Sequence, residues 1–264
     1  MYTAESSSPR KLYMSRIAAI LPAAGLGTRM GAETPKQFLE LDGVPIVMLS
    51  VRRIASCELV TDIIVATRGD GIAKIEEAIR GEKFSQNVRV VKGGDTRQES
   101  VAAALKLVAA DTELVLVHDA VRPFVKREQI ARVIEEARKH QAAILGIPAM
   151  DTVKEVKRAS LPEDVALITG TIPRERVVLA QTPQVFQTKL LKDAFARAEA
   201  DGVSASDEAG LVERLGHEVF VVLGSERNIK ITKPADMELA KFYLEREKAA
   251  GAAGEKSGKG HAAK

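Results

Sequence analysis

The feature that most constrains the fold is a regular alternation of short apolar runs with segments of helical periodicity. The apolar runs do not alternate strictly with polar residues, which indicates strands covered on both faces, as in a parallel sheet with crossover helices. The predicted strands are Ile17–Leu21, Asp62–Ala66, Val88–Val91, Glu113–His118, Ala143–Pro148 and Val219–Leu223. The predicted helices are Pro45–Ser56, Gly71–Arg80, Gln98–Ala109, Glu128–His140, Lys189–Ala200, Asp207–Leu215 and Pro234–Lys248. The sequence therefore predicts an α/β fold, a mostly parallel sheet with helices on both faces.

One segment, Met150–Ala180, interrupts this rhythm. Charged and apolar residues alternate there around a turn-like stretch, Ser160–Asp164, which is typical of a two-stranded β-hairpin. An isolated hairpin is barely stable in water, so this protruding β-arm, about 150–180, must pack against something. A partner subunit is the simplest candidate, and we therefore expect a homodimer formed through the arm.

The charge of the chain is concentrated in its tail. The 264 residues suit one α/β domain or two small ones, and we interpret 1–16 as a disordered lead, 17–248 as a single domain and 249–264 as a flexible tail. The net charge is +3, from 39 basic and 36 acidic residues. Lys248–Lys264 contains four lysines and one glutamate and accounts for all of it. Because the remainder is formally neutral, we expect no nucleic-acid partner.

Cysteine usage and hydropathy indicate the compartment. Cys57 is the single cysteine, which excludes an intrachain disulfide, and its apolar helical surroundings predict a small core residue. A reducing cytoplasm is consistent with this. No apolar run reaches the roughly 18–20 residues that span a membrane, so we expect no membrane partner. The start, Met1–Arg16, lacks the continuous apolar region of a secretory signal, and we expect a cytoplasmic protein.

The loop after the first predicted strand has the composition of an anion-binding loop. The stretch LPAAGLGTRMGAETPKQF, Leu21–Phe38, contains three glycines together with Arg29 and Lys36. Glycines let the backbone approach a ligand closely, and the two cations suit a phosphate chain. A Walker A loop needs Gly-x4-Gly-Lys-Ser/Thr, and the dinucleotide fingerprint needs a glycine where Met30 stands. A P-loop kinase and an NAD enzyme are therefore disfavoured.

Polar residues also follow the later predicted strands. GGDTRQES follows the third strand, HDAVRPF the fourth and PAMDT the fifth, and SERNIKIT lies near the sixth. Ligands of open parallel sheets bind outside the carboxyl ends of the strands, so these loops predict a site on that rim. Asp119 could contact a metal's ligand shell or substrate hydroxyls there, or instead cap a helix or pair with Arg122. We interpret His118 as a packed strand residue and not a base.

Six blocks along the chain carry a family resemblance. They are PAAGLGTRM with PKQ, GGDTRQESV, VHDAVRPF, AQTPQVF, SDEAGLVE and NIKITKPAD. In this order, from about Ile17 to Leu244, they resemble the 2-C-methyl-D-erythritol 4-phosphate cytidylyltransferase family of the non-mevalonate isoprenoid pathway. The resemblance implies a Rossmann-like nucleotidyltransferase fold and a homodimer. It also implies that CTP and methylerythritol phosphate react to give 4-diphosphocytidyl-2-C-methyl-D-erythritol and pyrophosphate. Mg²⁺ is implied as well, held mainly by triphosphate oxygens and water, with Asp119 as the one candidate protein ligand.

The resemblance assigns nucleotide-binding and catalytic residues. Arg29 and Lys36 are expected to stabilise charge in the transition state. The backbone of the first loop is expected to follow the ribose and phosphates at Pro22, Ala23, Ala24, Gly25 and Gly27. Gly94, Asp95 and Ser100 are expected to recognise cytosine. Asp119 and Ala120 are the remaining residues expected to bind the nucleotide. Thr28 stands where some members carry a second basic residue, which leaves Arg29 with more of the work.

The resemblance also assigns residues to the second substrate. Arg174 and Lys230 are expected to bind its phosphate and to be catalytically important, and Arg174, because it lies in the arm, is expected to reach the neighbouring subunit's site. The other expected contacts are Arg122, Thr152, Thr182 and Ser206. Ser206 stands where the family is expected to carry threonine, so we expect only a small change in substrate packing.

Three other functions fit parts of this pattern. A sister group that transfers CTP to ribitol 5-phosphate shares most blocks, but its first loop reads closer to Ala-Gly-Gly than Pro22–Gly25 does. A sugar-1-phosphate nucleotidyltransferase has a similar glycine-rich loop, although GGDTRQESV favours cytosine. A non-catalytic nucleotide-binding regulator would be expected to lose the cations that this chain retains at 29, 36, 174 and 230.

Overall fold

Strands and helices alternate along the residues that the computed structural model describes, which are 15–25, 35–158, 162 and 164–258. The strands are β1 Arg16–Ala23, β2 Glu40–Leu41, β3 Val44–Pro45, β4 Asp62–Thr67, β5 Asn87–Lys92, β6 Thr112–Val117, β7 Ala142–Pro148, β8 Val153–Lys157, β9 Leu167–Ile172, β10 Val178–Gln187 and β11 Phe220–Leu223. The helices are α1 Ile46–Ala55, α2 Gly69–Arg80, α3 Arg97–Leu105, α4 Arg127–His140, α5 Thr188–Ala200, α6 Glu208–Glu213 and α7 Pro234–Gly258. Every predicted strand and helix is present, and α7 continues past its predicted end at Lys248.

Seven of the strands form one central sheet in the order β11–β7–β10–β6–β1–β4–β5. Neighbouring strands are parallel throughout, except that β10 runs antiparallel to both β6 and β7. The predicted α/β fold with a mostly parallel sheet is therefore confirmed. The carboxyl ends of β1, β4, β5 and β6 lie along one edge, as the distribution of polar loops predicts.

Strand β1 explains why the apolar runs do not alternate with polar residues. Ile17, Ala19 and Leu21 pack into a buried cluster with side chains of α1 and α4 on one face. Ala18 and Ile20 pack on the opposite face with side chains of α3 and α5. Because both faces are covered, every position of the strand after Arg16 is apolar. Full burial of each large side chain contributes about 1.5–3 kcal/mol.

Strand β10 is the main element that the sequence does not predict. The expected arm ends at Ala180, inside this strand, and Pro183 argues against a central strand because proline cannot donate to the ladder. The structure accommodates Pro183 by a register shift against β7 between Ala180 and Gln184. Gln181 and Thr182 lie in this irregular stretch with buried side chains, which brings Thr182 to the loop after β6.

The predicted arm is present as a two-stranded sheet of its own. Strands β8 and β9 pair antiparallel, with Val153 opposite Ile172 and Lys157 opposite Leu167. Residues 159–161 and 163 of the connection lie outside the described residues. Large apolar side chains of the arm are exposed, Leu167 by 61% and Ile168 by 59%, which leaves an apolar surface uncovered in a single chain.

The remaining expectations concern Cys57, the termini and the membrane. Cys57 is buried in the core as predicted, and burial raises the pKa of its thiol. Most of the predicted lead, 1–14, and the end of the predicted tail, 259–264, lie outside the described residues, whereas 249–258 continue α7. No helix within the described part of the chain is long and apolar enough to cross a membrane.

Candidate active site

Loops from four places along the chain meet around one cavity at the carboxyl edge of the sheet. The cavity encloses about 190 Å³. Its lining residues are Pro22, Ala23, Ala24, Gly25, Lys36, Gln37, Arg97, Ser100, Asp119, Ala120, Val121 and Lys230. The lining therefore joins the first glycine loop, the start of α3, the loop after β6 and the segment after β11, as the strand-end argument predicts.

The first wall of the cavity is the end of β1 and the residues after it. The carbonyl oxygen of Ala23 accepts hydrogen bonds from Gln37 Nε2 at 2.7 Å and from the Thr67 hydroxyl at 3.3 Å. Lys36 begins a short 3-10 turn, Lys36–Phe38, and lines the same cavity. The predicted residues Gly27 and Arg29, with Thr28, fall outside the described residues. Backbone and Lys36 thus form one polar wall suited to a phosphate chain.

The second wall is the glycine turn that leads into α3. Gly94 N–H donates to Ser100 Oγ at 3.2 Å, and the buried Ser100 hydroxyl donates to the Thr96 carbonyl at 2.8 Å. A Cβ atom on Gly94 would lie 2.3 Å from Glu99 Cβ, so only glycine fits this close approach. The backbone N–H of Asp95 donates to Glu99 Oε2, and Asp95 itself is exposed. Of the three predicted cytosine-binding residues, Ser100 lines the cavity.

Asp119 is the centre of the charged part of the site. Its carboxylate lies 2.9 Å from Lys230 Nζ, 3.0 Å from Arg97 Nε and 3.4 Å from Arg122 Nε. Burial alone would raise the pKa of the Asp119 carboxyl, but its three cationic neighbours outweigh burial and hold the pKa well below its usual range. The alternative pairing with Arg122 considered from the sequence therefore occurs, as one of three ion pairs.

Next to Asp119 lies an ion pair between the partly buried Arg97 and the buried Glu208, which the sequence alone did not indicate. Arg97 Nη1 and Nη2 donate to the two carboxylate oxygens of Glu208 at 2.7 and 3.0 Å. Burial would lower the pKa of the Arg97 guanidinium, but Glu208 and Asp119 raise it. Burial raises the pKa of the Glu208 carboxyl although Arg97 opposes this shift. Both residues stand in blocks of the family resemblance, GGDTRQESV and SDEAGLVE, which was the available signal.

His118 and Thr182 fix the backbone of the Asp119 loop. His118 Nε2 lies 3.0 Å from the carbonyl oxygen of Arg122, and Nδ1 lies 3.0 Å from Thr182 Oγ1. A carbonyl can only accept, so Nε2 carries the proton and Nδ1 accepts from the Thr182 hydroxyl. The N–H of Asp119 donates to the same hydroxyl oxygen at 3.0 Å. Burial lowers the pKa of His118 to about 4, which keeps the ring neutral.

The residues predicted for the second substrate divide into two groups. Lys230, Arg122 and Thr182 all contact the Asp119 loop. Ser206, Thr152 and Arg174 do not line the cavity of the single chain. Arg174 Nη1 donates to the Met150 carbonyl at 2.8 Å, and the Arg174 side chain is 55% exposed on the arm.

Asn228 is a further residue that sequence reasoning missed. It is fully buried, its backbone carbonyl oxygen accepts from Arg122 Nη1 at 2.7 Å, and its Nδ2 donates to the backbone carbonyl of Thr182 at 2.9 Å. Asn228 therefore connects β10 to the segment that contains Lys230. Its position in the block NIKITKPAD, two residues before Lys230, is the only sign of this in the sequence.

The described lining of the cavity offers one carboxylate, Asp119, to a metal ion. Among the described lining residues, Asp119 is the one carboxylate, and three cations already surround it. Over the same described part of the chain, no group of three or more His, Cys, Asp and Glu side chains is arranged to hold a metal. The donor set therefore suits an anionic ligand that brings its own counter-ion.

The fold and this cavity together define the class of protein. A doubly wound sheet presents backbone loops and lysines to one cavity at its carboxyl edge, which is the arrangement expected of a nucleotide-binding α/β enzyme. Comparison with known proteins then gives the family: the family model for 2-C-methyl-D-erythritol 4-phosphate cytidylyltransferase matches residues 17–246. The chain belongs to this family, whose members are nucleotidyltransferases.

Individual relatives agree with the family model over nearly their whole length. A cytidylyltransferase of that name from Acidobacterium capsulatum is 52% identical over 235 residues, which covers 87% of this chain and 97% of the relative. A second, from Solibacter usitatus, is 49% identical over 241 residues, 89% of this chain and 98% of the relative. The solved structure from Thermus thermophilus, named as the same cytidylyltransferase, has a TM-score of 0.68 at 35% identity, covering 86% and 97% of the two chains. A 4-diphosphocytidyl-2C-methyl-D-erythritol synthase structure from Anaerococcus prevotii has a TM-score of 0.76 at 31% identity, covering 88% and 99%.

Proposed function

We propose that the chain joins CTP to 2-C-methyl-D-erythritol 4-phosphate, giving 4-diphosphocytidyl-2-C-methyl-D-erythritol and pyrophosphate. The observation that carries this proposal is the cavity whose lining includes Lys36 and the first loop together with the Asp119–Lys230 pair. This arrangement offers a phosphate-binding surface to each of two anionic substrates. Family membership supplies the chemical identity of the pair.

The reaction brings two polyanions together, so positioning and charge neutralisation are the main catalytic tasks. A phosphate oxygen of the sugar phosphate attacks the α-phosphorus of CTP, a new P–O bond forms, and the bond to the β-phosphate oxygen breaks to release pyrophosphate. We assign stabilisation of the α-phosphoryl oxygens to Lys36 and to Arg29, which lies outside the described residues.

The chain needs no general base for this step. Phosphate monoesters are largely dianionic near pH 7, so the nucleophile carries no proton that must be removed. His118 is the nearest candidate base, but both of its ring nitrogens are engaged in hydrogen bonds and it lies fully buried. We assign binding of the second substrate to Lys230 and Arg122, with Asp119 holding both cations in place between turnovers.

We assign Mg²⁺ to the nucleotide rather than to the protein. A bound ion would neutralise charge on the triphosphate, and its reluctance to dehydrate favours phosphate oxygens and water as its ligands. The crowding of Asp119 by cations favours this assignment over direct coordination by the carboxylate.

The arm supports a shared site between two copies of the chain. Leu167, Ile168 and Ile172 leave apolar surface exposed on a hairpin that is too small to be stable alone, and a second copy of the arm would cover it. Arg174 and Thr152 lie on this arm and do not line the cavity of their own chain. We therefore assign them to the second substrate of the neighbouring subunit.

Pyrophosphate release by the purified chain tests the proposed function. With MgCl₂, CTP and methylerythritol phosphate, we expect release that requires both substrates, and a parallel reaction with ribitol 5-phosphate in place of methylerythritol phosphate should be far slower. Reactions lacking either substrate are the controls. Equal or greater efficiency with ribitol 5-phosphate would reassign the second substrate, and CTP binding without any turnover would favour a regulator.

A further inference from the structure

The guanidinium of Arg97 is held rigidly between two carboxylates. Glu208 engages both Nη atoms, while Nε donates to Asp119 Oδ1 at 3.0 Å. Glu208 is only 1% exposed and the Arg97 side chain 27%, so this fork-to-fork contact is shielded from water on the Glu208 side. Such bidentate pairs fix orientation as well as charge. Arg97 therefore cannot turn its fork towards the cavity without leaving Glu208, and the group it presents to the site is the Nε–H on Asp119.

This ion pair joins three segments that are distant in sequence. Arg97 is the first residue of α3, Asp119 follows β6, and Glu208 is the first residue of α6. The start of α6 is itself fixed to β10, because the buried Gln184 donates to Asp207 Oδ2 at 2.8 Å and accepts from Ala209 N–H at 3.1 Å. Glu208 is thus anchored to the central sheet before it contacts Arg97.

The contacts form a chain of alternating charge that ends in the cavity. It runs from Glu208 to Arg97, from Arg97 to Asp119, and from Asp119 to Lys230, whose Nζ lies 2.9 Å from the carboxylate. Glu208 makes no contact with the cavity, whereas the other three residues line it. We propose that Glu208 is a positioning residue that, through Arg97, holds Asp119 where it orients Lys230 for the phosphate of the second substrate.

Stability alone is a weak explanation for this partly buried pair. Replacing a buried ion pair by apolar residues is often neutral or stabilising, so such a pair is weak evidence for a purely structural role. Its geometry has a specific consequence here: without Glu208, Arg97 is free to rotate and present two N–H groups to Asp119. That arrangement competes with Lys230 for the carboxylate oxygens and displaces the lysine on the second-substrate side.

The test measures the effect of a Glu208 substitution on each of the two substrates, and it rests on the proposed function. In the full chain, Glu208→Gln keeps the side-chain volume and removes the charge. We expect KM for methylerythritol phosphate to rise about 10-fold to 100-fold, since small misplacements of binding groups have effects of that size. The dissociation constant of CTP, measured by calorimetry without the second substrate, should change by less than about threefold because the first loop is not displaced.

Asp62→Asn is the matched control. Asp62 is also a buried carboxylate paired with an arginine, Arg16, at 3.0 Å, but at the amino ends of β1 and β4. We expect Asp62→Asn to lower the melting temperature and to leave both KM values unchanged. Arg97→Lys is a second probe that keeps the charge but cannot span both carboxylates, and it should reproduce the rise in KM for the sugar phosphate.

The outcomes are distinct. If Glu208→Gln loses thermal stability as Asp62→Asn does, with KM for methylerythritol phosphate unchanged, the positioning role is wrong. If Glu208→Gln does not fold, an unchanged KM in Arg97→Lys overturns the proposal equally. Wild-type protein that releases no pyrophosphate from CTP and methylerythritol phosphate would refute the proposed function instead.

Discussion

At the scale of single residues, the site depends on groups whose charges are fixed near neutral pH. Asp119 stays ionised because its cations outweigh its burial, and His118 stays neutral because burial lowers its pKa to about 4. Neither residue is therefore poised to exchange protons with a substrate near pH 7. This matches a reaction between phosphate oxygens, in which charge must be neutralised and no proton need be moved.

Lys36 is the described cation on the nucleotide side of the cavity, and its removal should affect the rate most. We expect Lys36→Ala to lower kcat by about 10²–10³, as loss of one preorganised charge-stabilising donor often does, with a smaller change in CTP affinity. Steady-state kinetics with saturating substrates measure this. Lys189→Ala removes an exposed lysine of α5 and should leave kcat unchanged. Near-normal kcat in Lys36→Ala would show that the assigned role is incorrect.

His118 should make the stability of the fold depend on pH. The unfolded state binds a proton with a pKa near 6.5 and the folded state only near 4, so the unfolded state binds more protons between these values. Stability therefore falls as the pH drops below about 6.5, by about 2 kcal/mol between about pH 7.5 and about pH 5. Urea unfolding at both pH values measures the free energy of unfolding. The decrease in this free energy from the higher to the lower pH should be smaller by that amount in His118→Gln than in wild type. Equal losses in the two proteins would contradict the argument.

At the scale of elements, the sequence predicts what is apolar and local. Strands β1, β4 and β6 are short and mostly apolar, and their pattern is sufficient to locate them. Strand β10 could not be found this way, because Gln181, Thr182 and Gln184 are polar yet buried. Their partners, among them Asp119, Asn228 and Asp207, lie far away in sequence. Burial that is compensated by distant hydrogen bonds leaves no periodic signal.

The same limit applies to the site. The strand-end rule places the first loop, Ser100 and Asp119 on one rim, and the structure brings them to one cavity. The pairing of Arg97 with Glu208, 111 residues apart, could not be predicted, because each residue alone is indistinguishable from a solvated surface charge. Only the folded sheet brings α3 and α6 together.

The arm is the element whose exposed apolar surface can be tested directly. We expect the double substitution Leu167→Glu with Ile168→Glu to place two negative charges on this surface and shift the protein from dimer to monomer. Sedimentation at micromolar concentration measures the shift. Leu107→Glu is the control, since Leu107 is 45% exposed but lies beyond the end of α3 and off the arm. A monomeric wild type, or an unchanged dimer in the double variant, would refute dimerisation through the arm.

At the scale of the whole molecule, a single chain forms the cavity, but Arg174 lies on the arm of the same chain and does not line that cavity. The Arg174 guanidinium donates to the Met150 carbonyl of its own arm and is largely exposed. A guanidinium suits a phosphate because its fork binds two oxygens at once. If two arms pack together, each cavity receives Arg174 from the other chain, and the complete site is a property of the dimer.

Subunit complementation distinguishes a shared site from a site within one chain. Lys36→Ala and Arg174→Ala chains are each expected to be nearly inactive alone. When they exchange subunits, a mixed dimer has one site with both substitutions and one with neither, provided that Arg174 acts across the interface. Equal amounts should then recover about one-quarter of wild-type activity per total sites, because half of the dimers are mixed and half of their sites are intact.

A control shows that the subunits exchange. The Lys36→Ala chain and the Arg174→Ala chain carry different affinity tags, and dimers that carry both tags are recovered from the mixture. If Arg174 acts within its own chain, every site retains one substitution and the activity stays at the level of the parents. Failure to recover activity in preparations where doubly tagged dimers are demonstrated would therefore refute the shared site. Recovery near one-quarter would instead place Arg174 of each chain at its neighbour's cavity.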